Sequence, residues 1–234
     1  LMNPKLIDYI KYAKNLNILD TIINTNATHL TNELSLKLLN SGIDFVIFSF
    51  DGGTKSTYEK MRPGRFKENT FDDVVSNIKN FCLLKNKLGL KFPVTKVQMI
   101  LTDQTIGEID NFYNLFNGFV DDITVTPYSE RGGNFDELSE KDKVRYNNLT
   151  KKYNLSNPSY LKTFNEPLKV SKNRKPCEQP NQRLMVTYDG RIAMCCYDWG
   201  AMHPIGYLST DSFDDPNYDK YQVVKNIKNL KKGF

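Results

Sequence analysis

Helical and strand-like segments alternate along residues 3–130 of the sequence. Apolar residues recur at helical spacing in segments such as LTNELSLKLLNSG, and short β-branched runs follow them. The four runs are DTIINTNA, DFVIFSFDGG, VTKVQMILT and DDITVTPY. Parallel strands require long crossover connections, which helices usually provide. The alternation therefore predicts an α/β fold with parallel strands, as in β/α barrels and open α/β sheets.

Polar residues follow or end each predicted strand. Because the carboxyl ends of parallel strands share one edge, which carries the ligand sites of β/α folds, these residues are candidates for a binding site. They are Asn24, Thr25, Asn26, Ser49, Asp51, Gly52, Thr102, Asp103, Thr126 and Tyr128. The same residue types also end strands and begin turns for conformational reasons alone. Their position therefore predicts that they lie at one edge of the sheet. Their residue types are compatible both with a binding site and with a purely conformational role.

The charge balance and the apolar content bear on whether the chain binds nucleic acid or a membrane. The chain has 234 residues with 32 basic and 27 acidic side chains, a net charge of +5, and its lysines are scattered among acids. No apolar run approaches the roughly 18 to 20 residues of a membrane-spanning helix. The most basic segment, the C-terminal KYQVVKNIKNLKKGF, is typical of a solvated helix face. We therefore predict neither nucleic acid nor a membrane as a partner.

Three of the four cysteines lie around one predicted β-hairpin. Asp189 and Gly190 between two apolar runs predict a two-residue turn. That turn places Leu184 opposite Cys195, and it places Cys196 on the other face of the strand. Cys195 and Cys196 can therefore reach one metal only if the strand breaks at or just after Cys195.

The hairpin predicts that Cys177, just before its first strand, approaches Cys195 at the end of its second strand. Clustered thiols without a signal segment favour a metal or iron–sulfur site in a reducing compartment, the cytoplasm, over disulfides. Two or three thiolates do not complete a four-ligand site, so other ligands lie elsewhere, and a zinc site with His203 stays open. Cys82 lies on the apolar side of a helix, which predicts a buried and inert thiol.

Two sets of motifs, one in each half of the chain, have the order and spacing of a known family. Twelve residues separate Cys177 from Gly190, four separate Gly190 from Cys195, and Asp198 and IGYL follow. The first half contains LMNPKL, NTNATHLT and FSFDGGTKSTYEKMRPG. Together these segments resemble radical S-adenosylmethionine enzymes that carry a C-terminal SPASM or twitch domain. The likeness spans most of the chain, with Ala27 where the family has glycine.

The resemblance implies a division of the chain into three parts. Residues 1–130 correspond to the third to sixth β/α units of a partial TIM-like (β/α) barrel with parallel strands. Residues 131–176 correspond to a connecting helix and linker. Residues 177–234 correspond to an incomplete SPASM- or twitch-like domain, a small β-hairpin domain that holds an auxiliary iron–sulfur cluster.

The same resemblance implies a set of site residues. Ser49 and Arg62 match residues that contact the methionyl portion of S-adenosylmethionine, and Arg62 is suited to pair with its carboxylate. Asn26 and Asp51 match the polar rim around the cofactor and the substrate. The segment from Val97 to Met99 corresponds to the strand beside adenine.

The cysteines match the ligands of an auxiliary cluster. Cys177 and Cys195 correspond to ligands of a 4Fe-4S cluster, and Cys196 is a further candidate. The whole enzyme is then expected to cleave S-adenosylmethionine reductively and to abstract hydrogen from a substrate. That substrate is expected to be a peptide or a small molecule of the sugar type. An electron donor such as a flavodoxin or a ferredoxin is the expected partner.

The sequence also departs from the family. It contains neither the CxxxCxxC loop that holds the first cluster nor the Gly-Gly-Glu segment that grips the cofactor. We therefore expect a piece of a longer enzyme, cut at both ends and inactive by itself. The alternative is a non-catalytic, metal-stabilised module on a degenerate barrel that binds a ligand or transfers electrons. A phosphate-binding protein gains little support, because DGGTKS at residues 51–56 fits neither nucleotide-binding pattern.

Overall fold

The computed structural model describes residues 1–63, 71–127, 144, 183–193, 195, 196, 198, 201 and 204–207. These residues fall into two compact units. Residues 1–127 belong to the first unit, and residues 183–207 belong to the second. The predicted linker at 131–176 lies outside the described residues except for Val144, which is helical. Within the described ranges, no helix has the length and apolar character that a membrane span requires.

The first unit is built on a four-stranded parallel sheet in the order β1-β2-β3-β4. Its elements in chain order are α1 (Leu6–Asn15), β1 (Ile22–Thr25), α2 (Asn32–Leu39), β2 (Phe45–Ser49), α3 (Lys55–Met61), α4 (Phe71–Lys87), β3 (Val94–Leu101), a short 3-10 helix (Ile106–Glu108), α5 (Ile109–Phe116) and β4 (Asp122–Pro127). The four predicted strands, their parallel direction and the helix before each of them are confirmed. The α/β prediction missed α3, whose sequence has few apolar residues.

The helices pack on one face of this sheet. Side chains alternate between the two faces of a strand, and the burial of β3 alternates in the same way along its length. Val46 and Phe48 of β2 and Val97 and Met99 of β3 are fully buried in a core that includes residues of all five helices. The opposite face carries half-buried or exposed side chains of mixed polarity, from Ile22, Asn24, Phe45, Ile47, Ser49, Val94, Lys96, Gln98, Ile100, Asp122, Thr124 and Thr126.

A buried lysine closes the amino end of the sheet between β3 and β4. The ammonium group of Lys85, at the end of α4, lies 2.6 Å from Oδ2 of Asp121, and its side chain is only 5% exposed. The same oxygen accepts hydrogen bonds from the backbone N–H and the hydroxyl of Thr95, each at 2.7 Å. Burial opposes ionisation of Asp121, but the bonds from Lys85 and Thr95 outweigh it and lower the pKa of this carboxyl.

The same arrangement occurs at the amino ends of β1 and β2. Lys14 of α1 lies 2.8 Å from Oδ2 of Asp44, and that oxygen also accepts hydrogen bonds from the N–H and the hydroxyl of Thr21, at 2.7 and 2.8 Å. In both places a lysine precedes a strand and an aspartate immediately precedes the next strand. The threonine lies just before the first of these strands or is its second residue. Ionic and hydrogen-bonding side chains thus fix neighbouring strands at this end of the sheet.

The second unit contains an antiparallel sheet of β5 (Met185–Val186), β6 (Arg191–Ala193) and β7 (Pro204–Tyr207), in that order. The hairpin between β5 and β6 is confirmed, but its predicted register is wrong by one residue. Met185 lies opposite Ala193, and among the residues of the turn only Gly190 has a positive φ, of 82°. The loop therefore has three residues with glycine in the left-handed position, instead of the predicted two-residue primed turn.

The third strand was not expected from the sequence. Pro204–Tyr207 pair with β6 across a bulge at Ile192 and Ala193. Ile192 is fully buried, so the small sheet has an apolar centre of its own.

Candidate functional site

Three of the predicted site residues lie at the carboxyl edge of the parallel sheet. Ser49 is the last residue of β2, and Asp51 follows two residues later. Asn26 follows β1 directly, and Thr25 before it is paired in register with Phe48, which precedes Ser49. The structure therefore brings Asn26, Ser49 and Asp51 to the same edge, as the sequence predicted for the ends of parallel strands.

Asp51 connects three elements through its carboxylate. Oδ2 accepts hydrogen bonds from Nε of Arg62 at 2.8 Å and from Nη2 of Arg62 at 2.6 Å. Oδ1 accepts a hydrogen bond from the backbone N–H of Ile100 in β3 at 2.8 Å. The side chain of Asp51 is 11% exposed and that of Arg62 is 24% exposed. Both oxygens of Asp51 are thus used within the protein, and Arg62 is held at the edge of the sheet.

Arg62 is also fixed by the helix that carries it. It caps the C-terminus of α3, and its N–H donates to the carbonyl of Tyr58 at 2.8 Å. The ring of Tyr58 stacks on Phe50 with centroids 4.3 Å apart and an angle of 24° between the ring planes. Such a stacked aromatic pair contributes about 1 kcal/mol beyond the burial of its surface. The stack therefore fixes α3 against the end of β2, one turn before Arg62.

The hydroxyl of Tyr58 is buried and has no hydrogen-bond partner among the residues that the structure describes. Burial raises the pKa of this phenol, so the group stays protonated at neutral pH. Asp51 and Arg62 are close enough to act on it electrostatically, with opposite signs. A buried polar group of this kind usually has a water or ligand partner.

Glu108 holds the other end of α3. Its Oε2 accepts hydrogen bonds from the backbone N–H groups of Gly53 at 2.7 Å and Thr54 at 3.0 Å. Its Oε1 accepts from the hydroxyls of Thr54 at 2.8 Å and Thr57 at 2.6 Å. Burial works to raise the pKa of Glu108, but these hydrogen bonds outweigh it and lower the pKa below its ordinary value. The carboxylate therefore stays charged and neutralises the positive end of the helix.

The glycines before α3 allow this close contact. A Cβ atom on Gly53 would collide with the backbone carbonyl oxygen of Glu108, and a Cβ on Gly52 would lie 2.7 Å from the N of Tyr58. The backbone N–H groups that a phosphate would need are thus bound to Glu108. This arrangement gives a phosphate no free N–H group at Gly53 or Thr54.

Val97 and Met99 are placed differently from the other predicted residues. Both side chains are fully buried in the core on the helix-covered face. Only their backbone can therefore contact a ligand on the opposite face of β3. Gln98 lies between them and is half-buried on that opposite face.

The loop after β1 contains a residue with a left-handed backbone. Ala27, which stands where the family has glycine, has a φ of 59° and is fully buried. Its N–H donates to Oγ1 of Thr25 at 3.0 Å, and its carbonyl accepts from Nδ2 of Asn77 in α4 at 3.1 Å. Asn26 accepts a hydrogen bond from the N–H of Thr28 at 3.2 Å and is exposed. The loop thus holds Asn26 at the edge.

Cys195 and Cys196 are half-exposed free thiols. They follow β6 in a bend and a turn, and the N–H of Asp198 donates to the carbonyl of Cys195 at 3.1 Å. The strand thus ends before Cys195, so the two side chains are not fixed on opposite faces of a strand. Thiolates are the ligands of iron–sulfur clusters, so these residues fit such a group. Cys177 lies outside the described residues.

Cys82 is separate from this site. It is 1% exposed in α4, and burial raises the pKa of its thiol to about 11. It is therefore a neutral core residue. The described residues contain no group of three or more histidine, cysteine, aspartate or glutamate side chains arranged to hold a metal ion.

The sequence predicted neither Glu108 nor Tyr58 as part of this edge, and it did not distinguish Gln98 from its neighbours Val97 and Met99. Glu108 acts on residues more than fifty positions away, and no local pattern announces such a contact. Gln98 could have been found from the alternation of faces along β3, had Val97 and Met99 been assigned to the core.

Residues 177–232 match the SPASM family, described as an iron-sulfur cluster-binding domain. No curated protein sequence matches the chain. Solved structures of Streptococcus suis SuiB match its fold. SuiB bound to S-adenosylmethionine aligns with 16% identity and a TM-score of 0.55, over 93% of this chain and 52% of SuiB. SuiB bound to precursor peptide SuiA aligns with 16% identity and a TM-score of 0.56, over the same shares of the two chains.

A third SuiB structure aligns with 17% identity and a TM-score of 0.51, over 91% of this chain and 53% of SuiB. The chain thus spans about half the length of the structures it matches. These comparisons confirm the predicted α/β fold with a partial barrel and the likeness of residues 177–232 to an iron-sulfur cluster-binding SPASM domain.

Proposed function

We propose that this chain, a SPASM-domain protein with the fold shared by SuiB, is the cofactor- and substrate-binding part of a radical S-adenosylmethionine enzyme that modifies a peptide. The carrying observation is the match of residues 177–232 to an iron-sulfur cluster-binding domain in a chain whose strands end in polar residues. When bound, S-adenosylmethionine and reduced iron–sulfur clusters supply hydrogen-abstraction chemistry. The residues of this chain bind and orient the cofactor and the substrate.

Arg62 is the residue we assign to the carboxylate of the methionyl group. A guanidinium has five N–H donors in a rigid fork, and Asp51 engages only one edge of it. The charge of Asp51 keeps Arg62 in place before the ligand arrives, which reduces the entropy lost on binding. Ser49 and Asn26 are the neutral groups that we assign to the same edge. Asp51 acts through Arg62 as a positioning residue, since both of its oxygens are occupied.

Cys195 and Cys196 are the described thiols that we assign to an auxiliary 4Fe-4S cluster, together with Cys177. Their place after β6, at a turn with half-exposed side chains, leaves them accessible to iron. Which of the two neighbours binds iron is decided by single substitutions, as described below.

A peptide is the proposed substrate because SuiB, whose fold this chain shares, has been solved with a precursor peptide. Smaller substrates of the sugar type are the competing class. We also propose a cytoplasmic location and an electron donor such as a flavodoxin or a ferredoxin, because iron–sulfur clusters require reduction and a reducing compartment.

The experiment that tests the function is anaerobic reconstitution of the full-length protein with iron and sulfide. Iron and sulfide are counted, and release of 5′-deoxyadenosine from S-adenosylmethionine under a chemical reductant is measured by chromatography. We expect Arg62→Gln to weaken binding of S-adenosylmethionine about tenfold, because one charge-assisted contact is lost.

Cysteine variants test the cluster assignment. Each of Cys195 and Cys196 is replaced by serine in turn. The variant that removes the ligand is expected to have the lower iron content. Cys82→Ala is the matched control, because this thiol is buried in the core of the first unit. A full-length protein that binds iron but releases no 5′-deoxyadenosine under any reductant would favour the non-catalytic electron-transfer module instead.

A further inference from the structure

Arg191 joins the turn of the hairpin to the far end of the loop that follows β6. Its Nε donates to Oδ2 of Asp189 at 2.8 Å, and its Nη1 donates to the carbonyl of Ala201 at 3.1 Å. Asp189 belongs to the turn between β5 and β6, and Ala201 lies three residues before β7. The guanidinium thus connects a side chain before β6 with the backbone just ahead of β7.

Asp189 is itself fixed within the turn. Its Oδ1 accepts hydrogen bonds from the hydroxyl of Thr187 and from the N–H of Arg191, the second at 3.4 Å. The N–H of Thr187 donates to the carbonyl of Arg191 at 2.9 Å, and the N–H of Gly190 donates to the carbonyl of Thr187 at 3.0 Å. The hairpin therefore anchors the carboxylate that holds the guanidinium, so the side chain of Arg191 has a fixed direction.

The backbone at Ala201 is both strained and buried. Its φ of 48° is in the left-handed region, and the residue is fully buried. The left-handed conformation costs an L-residue free energy, and a buried carbonyl without a partner adds a further cost. The hydrogen bond from Arg191 gives this carbonyl a charged donor, so it stabilises the conformation of the loop at Ala201.

Two consecutive turns connect Ala201 to the cysteines. The N–H of Ala201 donates to the carbonyl of Asp198 at 3.1 Å, and the N–H of Asp198 donates to the carbonyl of Cys195 at 3.1 Å. Asp198 is buried, whereas Cys195 and Cys196 are half-exposed. Because each bond closes a turn on the next, a contact that fixes Ala201 also restrains the turn that begins at Cys195.

From these contacts we propose that Arg191 is a positioning residue, which holds residues 195–201 in the conformation in which the thiols bind iron. The inference rests on the proposed function, in which Cys195 or Cys196 is a ligand of an auxiliary cluster. A loop that is fixed beforehand loses less entropy when its thiolates bind, so it holds the cluster more tightly and releases it more slowly. Arginine suits this role because its planar fork can donate to a carboxylate and to a carbonyl at the same time.

The test measures how fast iron is lost at this site alone. The full-length protein is reconstituted anaerobically with iron and sulfide and is then treated with an iron chelator and excess iodoacetamide. A cysteine is alkylated once the cluster leaves it, and mass spectrometry of the peptide that contains Cys195 and Cys196 gives the rate at whichever of them is protected. Arg191→Gln is expected to raise this rate about tenfold, which corresponds to the loss of one hydrogen bond to the loop.

Three further variants serve as controls. Arg183→Gln removes the same charge from an exposed residue two positions before β5, and it is expected to leave the rate unchanged. Arg191→Lys retains a cationic donor without the fork and is expected to give an intermediate rate. Asp189→Asn keeps Arg191 but weakens its anchor, so it should raise the rate by less than Arg191→Gln does. It also replaces Arg191→Gln in the comparison if that variant does not fold, as judged by thermal unfolding.

The outcomes separate the inference from the function on which it rests. If the wild-type protein protects Cys195 or Cys196 and Arg191→Gln loses this protection no faster than Arg183→Gln, the inference is wrong and the proposed function stands. If Arg191→Lys loses it as fast as Arg191→Gln, a cationic donor is not what holds the loop, and the inference is also wrong. If the reconstituted wild-type protein protects neither cysteine, the cluster assignment in the proposed function fails and this inference fails with it.

Discussion

Ala27 occupies a backbone conformation that costs free energy for any residue other than glycine. Its φ of 59° is in the left-handed region, which costs an L-residue about 1–2 kcal/mol. The residue stays there because its N–H and its carbonyl both have side-chain partners and its methyl group is fully buried. One local hydrogen bond, to Thr25, and one from Asn77 of α4 thus hold the loop that carries Asn26 in position.

We expect Ala27→Gly to change the free energy of unfolding by less than about 1 kcal/mol. Glycine relieves the strained φ, but it removes a buried methyl group worth about 0.8 kcal/mol and makes the unfolded chain more flexible. Ala27→Val is the contrasting variant and should destabilise by about 2–3 kcal/mol, because a β-branched side chain is both strained at this φ and too large for a full site. Equal stability of the two variants, measured by urea denaturation, would contradict the assigned conformation.

Thiol reactivity distinguishes Cys82 from the two cysteines after β6. The thiol of Cys82 is buried and its pKa is about 11, so almost no thiolate is present at neutral pH. In the folded protein without clusters, iodoacetamide should modify Cys195 and Cys196 first and Cys82 only after denaturant is added. Mass spectrometry of the alkylated peptides checks the order. Modification of Cys82 at the same rate as Cys195 would show that α4 opens readily.

At the scale of elements, α3 is held at both ends by side chains from outside the helix. Glu108 accepts hydrogen bonds from N–H groups just before the helix and from the hydroxyl of Thr57 within it. Asp51 binds Arg62 at the C-terminal cap of the helix. An isolated helix shorter than about 12–15 residues is marginal in water, and α3 has only 7 residues. The helix therefore depends on these contacts and on the stack of Tyr58 with Phe50.

Glu108→Gln should lower the free energy of unfolding by about 1–2 kcal/mol at pH 7, because the amide cannot replace a charged acceptor of four hydrogen bonds. The pKa of Glu108 is lowered in the folded state. Its stabilising contribution is therefore complete above its unfolded-state pKa, near 4.5, and is lost as the pH falls through the lower folded-state value. The difference between wild type and variant should then disappear in acid.

Glu59→Gln, on the same helix, is the control and should change stability by less than about 0.5 kcal/mol at either pH. Denaturation curves at neutral pH and near pH 3 provide the comparison. A difference between wild type and Glu108→Gln that persists unchanged in acid would mean that the charge of Glu108 is not the source of the stabilisation.

The two lysine–aspartate–threonine arrangements allow a matched comparison between elements. Asp121→Ala leaves the buried ammonium group of Lys85 unpaired and should destabilise by about 2–3 kcal/mol. Asp44→Ala should cost about 1 kcal/mol, because the side chain of Lys14 is 28% exposed and water can replace the carboxylate.

The double variant Lys85→Met with Asp121→Ala should recover most of the loss, since no unpaired charge then remains in the core. Urea denaturation of the three variants measures these differences. If Asp44→Ala costs as much as Asp121→Ala, the burial of the lysine is not the deciding factor.

At the scale of the whole molecule, the periodic apolar pattern was sufficient to predict the four parallel strands and the helix that precedes each of them. The sequence also predicted that Asn26, Ser49 and Asp51 lie at one edge, because this follows from strand direction alone. It did not predict that Asp51 binds Arg62, since that contact depends on α3, a short helix with a weak apolar pattern. The predicted roles of Val97 and Met99 depended on which face of β3 their side chains occupy. Both side chains lie in the core, on the face covered by the helices.

The small sheet illustrates a second limit. Asp189 and Gly190 correctly predicted a reversal of the chain, but the choice between a two-residue and a three-residue loop depends on the φ of Asp189, which the residue type leaves open. A one-residue error in the loop shifted the predicted position of Cys195 relative to the first strand. Long-range pairing, as between β6 and β7, has no local signal at all.

The ion pair of the buried Lys85 with Asp121 and the polar edge at Asp51 lie at opposite ends of the same sheet. Along β3, Thr95 and Ile100 are five residues apart, about 16 Å in an extended strand. Substitutions separated by such a distance usually have additive effects on stability. Residues at the edge that we propose to bind a ligand can therefore be exchanged while the anchor at the far end preserves the scaffold, so that one framework can carry different specificities.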